Sequence, residues 1–136
     1  MSESEPLKRR AELRTIAMPA DTNAAGDIFG GWLLSQMDLA GASHAVEVAE
    51  GRVVTVGIEA MSFHSPVYVG DQVSCYCSTE RIGRTSITVH VETWAKRRTE
   101  GEFQESVKVT EGTFTFVALG EDGASRTVPR KNLETE

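Results

Sequence analysis

A change of hydrophobic period constrains this chain more than any other feature. From Trp32 to Val48, the residues Leu34, Met37, Gly41, Ala45 and Val48 recur at helical spacing, with Ser35, Gln36, Ser43 and Glu47 on the other side. That predicts one amphipathic helix, ended by Gly51. Beyond it the period drops to two almost to the end. Val54, Val56 and Ile58 alternate with Thr55, Gly57 and Glu59, and Val73, Cys75 and Cys77 with Ser74, Tyr76 and Ser78. Ile87, Val89 and Val91 alternate with Thr88, His90 and Glu92, and Phe114 and Phe116 with Thr113, Thr115 and Val117. Turn-like breaks fall at Pro66–Asp71, Ile82–Arg84 and Thr99–Gln104, and Gly120–Gly123 closes the last strand. Ala11–Ala17 reads as a short strand stopped by Pro19, and Asp21–Gly31 as a shaped loop rich in Gly, Asn and Asp. One early helix followed by four long strands is an α+β solution, in which a curved, mostly antiparallel sheet of about five strands covers the helix. The expected organisation is a flexible tail over 1–10, acidic and frayed over 1–7, one domain over 11–128 and a loose tail over 129–136.

The 136 residues suit one domain that buries roughly two thirds of its unfolded surface. They leave little room for a large pocket walled by a single chain. With 14 Lys+Arg against 20 Asp+Glu, the net charge of −6 argues against broad affinity for nucleic acid or an anionic membrane. Met1–Arg10 lacks the apolar core of a signal peptide. The apolar stretches are broken by Ser35, Gln36 and Asp38 before they could span a bilayer. Cys75 and Cys77, two apart on one strand, are poorly placed to bond each other, and no further Cys/His pair completes a metal site. Reduced thiols in a cytoplasmic protein are the expectation.

The chemistry concentrates in Asn23–Asp38. Gly30-Gly31 at a helix start leaves amides with no intrahelical acceptor, at the positive end of the helix dipole, where they can hold a polarised carbonyl oxygen. Asp38 lies about 60° from the centre of the apolar stripe, at the margin of the buried face, where a carboxylate needs a hydrogen bond or a task. As a boundary acid it would be satisfied by a backbone amide; as a functional one it would be a nucleophile or general base. His44 sits about 120° away on the wheel and is not its partner. No G-x-S-x-G, Walker A or H-E-x-x-H pattern occurs.

These residues closely resemble the YciA-like acyl-CoA thioesterases of the hotdog-fold superfamily. The resemblance begins at Met18-Pro19 and Asp21-Thr22-Asn23, and includes the pattern N-x-x-G-x-x-F-G-G from Asn23 to Gly31 and Ser35-Gln36-Met37-Asp38. It continues through Gly51–Val56, Met61-Ser62-Phe63, Pro66-Val67, Val69-Gly70-Asp71, Gly83–Ile87, Val91–Trp94 and Phe114–Ala118, so that it covers roughly residues 12–130. It implies two subunits joining sheets edge to edge, commonly as a trimer of dimers, with active sites at the dimer interface. The family's functional Asn matches Asn23 and its catalytic acid matches Asp38, the two acting from opposite subunits on the thioester of an acyl-CoA. Gly30 and Gly31 would polarise the thioester oxygen. Arg81, Gly83, Arg84, Thr85 and Ser86, the G-R-T-S turn, would contact the phosphates or pantetheine of CoA. Lys96-Arg97-Arg98 would hold the 3′-phosphate or guard a sheet edge. No metal and no cofactor beyond the substrate's own CoA is implied. Two departures stand out: Ala25 where the family carries a polar residue, and His64-Ser65 before Pro66, where members vary. His64 reads as a solvated loop histidine, and His90 as a strand-face histidine beside Thr88 and Glu92.

A hydratase of the same fold would want a histidine five residues after Asp38, which is absent. A non-catalytic acyl-CoA-binding or regulatory module could dispense with Asn23 and Asp38, and usually carries a DNA-binding appendage that this length does not accommodate. A β-barrel carrier is disfavoured by the inserted helix.

Overall fold

A computed structural model describes residues 4–6, 9–99, 102–103 and 106–130. Met1–Glu3, Leu7 and Lys8 of the expected N-terminal tail, Glu100, Gly101 and Gln104 of the expected turn, and 131–136 of the C-terminal tail lie outside the described residues. The strands are β1 (Leu13–Ile16), β2 (Val53–Phe63), β3 (Gln72–Ile82), β4 (Ser86–Lys96), β5 (Arg98–Thr99), β6 (Glu102–Phe103) and β7 (Val107–Ala118), with the helix α1 (Gly30–Ala49) between β1 and β2. β1, β3, β4, β7 and β2 form one antiparallel sheet in that order, and β5 and β6 form a separate short hairpin where a turn was expected. The long helix lies against this curved sheet: the hotdog arrangement.

The helix runs two residues further at its start and one further at its end than the periodicity predicts. Its buried residues are Leu33, Met37, Ala40, Gly41, Ala45 and Ala49, while Leu34 and Val48 are half-buried, so the stripe is rotated slightly toward Leu33 and Ala40. Small residues there let the helix approach the sheet. A Cβ on Gly41 would come within 2.9 Å of the Phe116 ring and 3.4 Å of Val91. Ile87, Val89, Val91, Phe114 and Phe116 are fully buried beneath it. Each such side chain contributes about 1.5–3 kcal/mol of hydrophobic burial.

The helix does not end on Gly51 as expected. Glu50 takes the left-handed conformation, at φ 55°, and its amide bonds the Val46 carbonyl. Arg126 then supplies the cap, its Nη2 donating to the Ala49 carbonyl at 2.7 Å and its Nε to the Leu119 carbonyl at 2.9 Å. A charged side chain from the far end of the sequence thus satisfies the helix C-terminus.

The alternation in β2 has the opposite sense to that of β3, β4 and β7. Val54, Val56 and Ile58 point away from the chain's own core, at 42%, 59% and 39% exposure. Thr55 faces α1 instead. Among the described residues β2 is an edge strand bonded only to β7, with irregularities at Thr55/Gly57 and Glu59/Ser62 and a positive φ at Ala60. The opposite edge is β1, and of the described residues before it Glu5 and Arg9 lie on the outer face of the sheet. Tyr76 donates to Glu5, which also pairs with Arg14 at 3.8 Å, and Arg9 pairs with Glu92 at 3.6 Å. Expected in a frayed tail, Glu5 instead helps bury Ser74 and Tyr76, the polar side of β3. Burial, together with the hydrogen bond and charge of Glu5, pushes the Tyr76 hydroxyl up from its ordinary pKa.

Candidate active site

The loop before the helix is built around Asn23. Its Oδ1 accepts from the amides of Ala25 at 3.0 Å and Asp27 at 3.1 Å, and its own amide bonds the Asp27 carbonyl at 2.9 Å. A left-handed Gly26, φ 86°, closes the turn. With the oxygen committed to the loop, only the Nδ2 hydrogens of this exposed side chain remain, so Asn23 can act on a ligand only as a donor. Asn23 therefore favours a carbonyl or water oxygen.

The loop delivers the chain to Phe29, which stands at the N-cap in extended conformation with no side-chain cap. The Trp32 and Leu33 amides turn back to the Phe29 carbonyl. The Gly30 and Gly31 amides bond nothing among the described residues. They are free donors at the positive end of a 20-residue helix.

Asp38 is half-buried two turns further along, at the margin of the packed face as the wheel predicts. A strand hydroxyl satisfies it, in place of the expected backbone amide: Thr55 Oγ1 donates to Asp38 Oδ1 at 2.7 Å. Thr55 is a residue that sequence reasoning missed. The available signal was its place in the alternation opposite Val54 and Val56, once that alternation is read with the valines outward. His44 is engaged elsewhere, with Thr79 Oγ1 at 2.7 Å and Glu12 at 3.9 Å.

Asn23 and Asp38 share no hydrogen bond within the chain. Eight residues of helix, about 12 Å, separate Gly30 from Asp38. One chain therefore presents two separate groups, free amide donors at the helix start and a carboxylate beside the open edge strand.

The G-R-T-S turn joins β3 to β4 at the end of the sheet where the helix terminates. Gly83 packs closely there, where a Cβ would lie 2.6 Å from Ser86 Oγ and make that hydroxyl turn aside; its amide bonds the Ser86 carbonyl at 2.8 Å. The Thr85 carbonyl accepts from Ala118, and the Arg84 carbonyl from Val128, which fastens the turn to the C-terminal segment. Arg81 and Arg84 are exposed and pair with no acid among the described residues. Arg97 is not a free cation. It binds Asp71 at 3.3 Å and the Pro66 carbonyl at 2.8 Å, and lies 4.6 Å over the Tyr68 ring, which suits the sheet-edge alternative better than the 3′-phosphate one. The Arg98 side chain lies outside the described residues.

On the outer face of the sheet, His64 Nε2 donates to Glu111 at 2.9 Å, and His90 lies 3.5 Å from both Glu80 and Glu111. Burial raises the Glu111 pKa, but the hydrogen bond from His64 and the charges of Lys108 and His90 outweigh it and hold the carboxyl below the usual range. Burial pushes the Cys75 thiol up to about 11 and the Cys77 thiol to about 12, and neither is in a disulfide. No group of His, Cys, Asp and Glu among the described residues could hold a metal ion. No helix among them is long and apolar enough to cross a membrane.

The sequence profile of the thioesterase superfamily matches residues 25–102. The chain belongs to that superfamily. Acyl-CoA thioester hydrolase YciA of Salmonella typhimurium is 53% identical over 117 residues, covering 86% of this chain and 88% of its own. An uncharacterized acyl-CoA thioester hydrolase of Haemophilus influenzae is 54% identical over 120 residues, covering 88% of this chain and 78% of its own. At this identity the chain is a member of the YciA-like thioesterases. A hexameric broad specificity acyl-coenzyme A thioesterase superposes with a TM-score of 0.87 at 50% identity, over 96% of this chain and 90% of that one. An acyl-CoA hydrolase of Staphylococcus aureus superposes at 0.75 and 26% identity, over 86% of this chain and 70% of its own. Its solved variants replace one aspartate and one asparagine by alanine, and those two positions stand as far apart in its chain as Asp38 and Asn23 do here.

Proposed function

We propose that this chain hydrolyses the thioester of acyl-coenzyme A to a free acid and CoA, at a site that two copies complete. The carrying observation is the Thr55–Asp38 hydrogen bond at the open edge of the sheet, with the free amides of Gly30 and Gly31 about 12 Å away along the same helix. A carbonyl oxygen and the water attacking its carbon must lie within a few ångströms of each other, so one chain's amides and its own carboxylate cannot serve one thioester. A second copy paired along β2 brings the amides and Asn23 of one subunit to the Asp38 of the other. The edge suits this: β2 has 11 residues with one side unpaired, and Val54, Val56 and Ile58 stand exposed beside it. Leu39 and Val46, at 59% and 41% exposure on the helix's outer side, offer further apolar area for assembly as a trimer of dimers. The hexameric state of the structural relative supports that arrangement.

In this reading the Gly30 and Gly31 amides and Asn23 Nδ2 hold the thioester oxygen or the attacking water. Asp38, oriented by Thr55, either takes a proton from that water or attacks the carbonyl itself. By the first route the thiolate of CoA leaves and takes that proton; by the second it leaves an Asp38–acyl anhydride, which water then cleaves to the free acid, restoring the carboxylate and giving its proton to the thiolate. The aspartate and asparagine replaced in the Staphylococcus aureus enzyme, at the same spacing, support this pair. Twelve residues of helix, about 18 Å, run from Asp38 to Glu50, a distance an extended pantetheine arm spans to the exposed Arg81 and Arg84. There Gly83, Thr85 and Ser86 shape the turn that meets the CoA phosphates. The reaction needs no metal and no cofactor other than the CoA that arrives with the substrate. Cys75 and Cys77, neither in a disulfide, suit the reducing cytoplasm.

Steady-state thiol release from acetyl-, octanoyl- and palmitoyl-CoA tests the activity, with turnover expected to fall at least 100-fold in Asp38→Ala. Undiminished turnover in that variant would remove Asp38 from the chemistry. Tight binding with no thiol release from any acyl-CoA would make the chain a binding module instead. Mixing Asn23→Ala with Asp38→Ala subunits should restore about one working site per heterodimer, and failure after verified subunit exchange would place both residues in one chain's site.

A further inference from the structure

We infer that the outer face of the sheet carries a docking site for an acidic peptide, built from Arg14, Tyr76, Trp94, Lys96 and Ser106, and that the chain's own N-terminal segment fills it with Glu5. Glu5 lies outside every strand and helix, yet its side chain is only 8% exposed. A carboxylate so covered needs partners that balance its lost hydration. Four parts of the chain supply them. Tyr76 of β3 and Ser106, just before β7, hydrogen-bond it, Arg14 of β1 pairs with it at 3.8 Å, and the charge of Lys96 in β4 acts on it. Arg14 is itself held in place, its Nε donating to Ser74 Oγ at 2.8 Å and its Nη2 to the Tyr76 hydroxyl at 3.3 Å. Arg9 covers the ring of the same tyrosine, its guanidinium 5.7 Å from the centroid and donating to the Cys77 carbonyl at 3.2 Å.

β4 lies between β3 and β7, so a carboxylate bonded to both Tyr76 and Ser106 crosses β4. It does so at Trp94. The register places Arg14, Ser74, Trp94 and Lys108 in one cross-strand row, with Tyr76 and Glu92 in the row beside it. Alternation turns Val89 and Val91 of β4 inward, and Glu92 and Trp94 outward. Trp94 is nevertheless 2% exposed, and its indole Nε1–H is buried with no hydrogen-bond partner among the described residues. Lys108, 5.8 Å over its ring, and the crossing N-terminal segment account for that burial. The unpaired indole donor is costly, and a peptide carbonyl seated beside the carboxylate would satisfy it. The charges select an acidic occupant. Around Trp94 stand Arg9, Arg14, Lys96 and Lys108 against Glu5, Glu92 and Glu111, so without Glu5 four cations face two acids, in a chain of net charge −6. The sequence before Pro6 carries Glu3 and Glu5 and no base. The site lies on the opposite face of the sheet from the helix, apart from Asp38 and the helix-start amides.

Emptying the site in the full chain and refilling it in trans tests this. In protein labelled with 15N-tryptophan, the Trp94 indole N–H, assigned with Trp32→Phe, should exchange slowly with solvent. Its protection should fall about tenfold or more in Glu5→Ala, and also in Tyr76→Phe, which keeps the ring. The melting temperature should move by less than about 5 °C in both. A synthetic peptide of residues 1–10 should bind the Glu5→Ala protein and restore the protection. Its Kd should lie below about 1 mM, because a tethered occupant competes at millimolar effective concentration. The same peptide should not bind the native chain, whose site is full, and its Glu5→Gln version should bind neither protein. Unchanged protection in both variants would overturn the site. A larger fall in melting temperature would make the segment part of the cooperative fold and overturn it as an occupant. A peptide that fails to bind, or that binds as well without the Glu5 charge, would overturn the recognition of acid, and equal binding of an unrelated acidic decapeptide would overturn the segment as its specific occupant.

Discussion

Replacing Thr55 by valine removes one hydroxyl and nearly nothing else. The side chains are close in volume, and Thr55 Oγ1 makes its bond to Asp38 Oδ1 at 2.7 Å. Hydrogen bonds to charged groups contribute about 1.5–3 kcal/mol, and the half-buried setting of Asp38 places this one near the lower figure. If the bond holds Asp38 in its working orientation, the loss appears in the barrier, and about 1.5 kcal/mol corresponds to roughly a tenfold fall in kcat. KM should move less than twofold, because the hydroxyl is directed at Asp38 and not at substrate. Thr55→Ser, which keeps the donor, should recover most of the rate. The assay is initial-rate thiol release from octanoyl-CoA across a substrate series, with melting temperature confirming that each variant is folded. A folded Thr55→Val enzyme with undiminished kcat would refute the claim that this bond orients the acid, and a rise in KM alone would assign Thr55 to binding.

The packing and the titrating groups give further expectations. Gly41→Val should destabilise the fold by about 1–3 kcal/mol, seen as a lower melting temperature, because its Cβ would press on the Phe116 ring. Arg126→Ala should cost about 1–2 kcal/mol by freeing the Ala49 and Leu119 carbonyls, and the urea midpoint should fall with little change in slope. Cys75 and Cys77, with thiols pushed up to about 11 and 12, should ignore Ellman's reagent at pH 8 until the protein is unfolded in urea, when both should react. The Glu111 carboxyl is held below its usual range, so its contribution to stability is present above about pH 4.3 and lost as the pH falls through its folded value. Stability curves for the native chain and Glu111→Gln should therefore converge in acid, and parallel curves would contradict the shift.

Much of the fold was legible because period is a local property. The helix, the four long strands and the loop at Asn23 follow from spacing and turn residues alone, with helix ends displaced by only one or two positions. The errors arise where a distant part of the chain intervenes. Arg126 closes the helix from 77 residues away, so Gly51 had no need to be its left-handed stop. Glu5 and Arg9 fold back over β3, which buries a face that alternation assigns to solvent. Arg97 looks like a spare cation until Asp71 and Tyr68 are seen around it.

The sequence by itself determined the helix, the order of elements, the family and the position of Asp38 at the margin of the packed face, since each depends on neighbours within a few turns or on the motif as a whole. Only the tertiary structure decided which way β2 faces, because alternation marks two sides without saying which one meets the core. That choice turns Thr55 toward Asp38 and sets Val54, Val56 and Ile58 outward on an open edge. Distance along a rigid helix is what separates the helix-start donors from the carboxylate, and no local pattern in the sequence reports it.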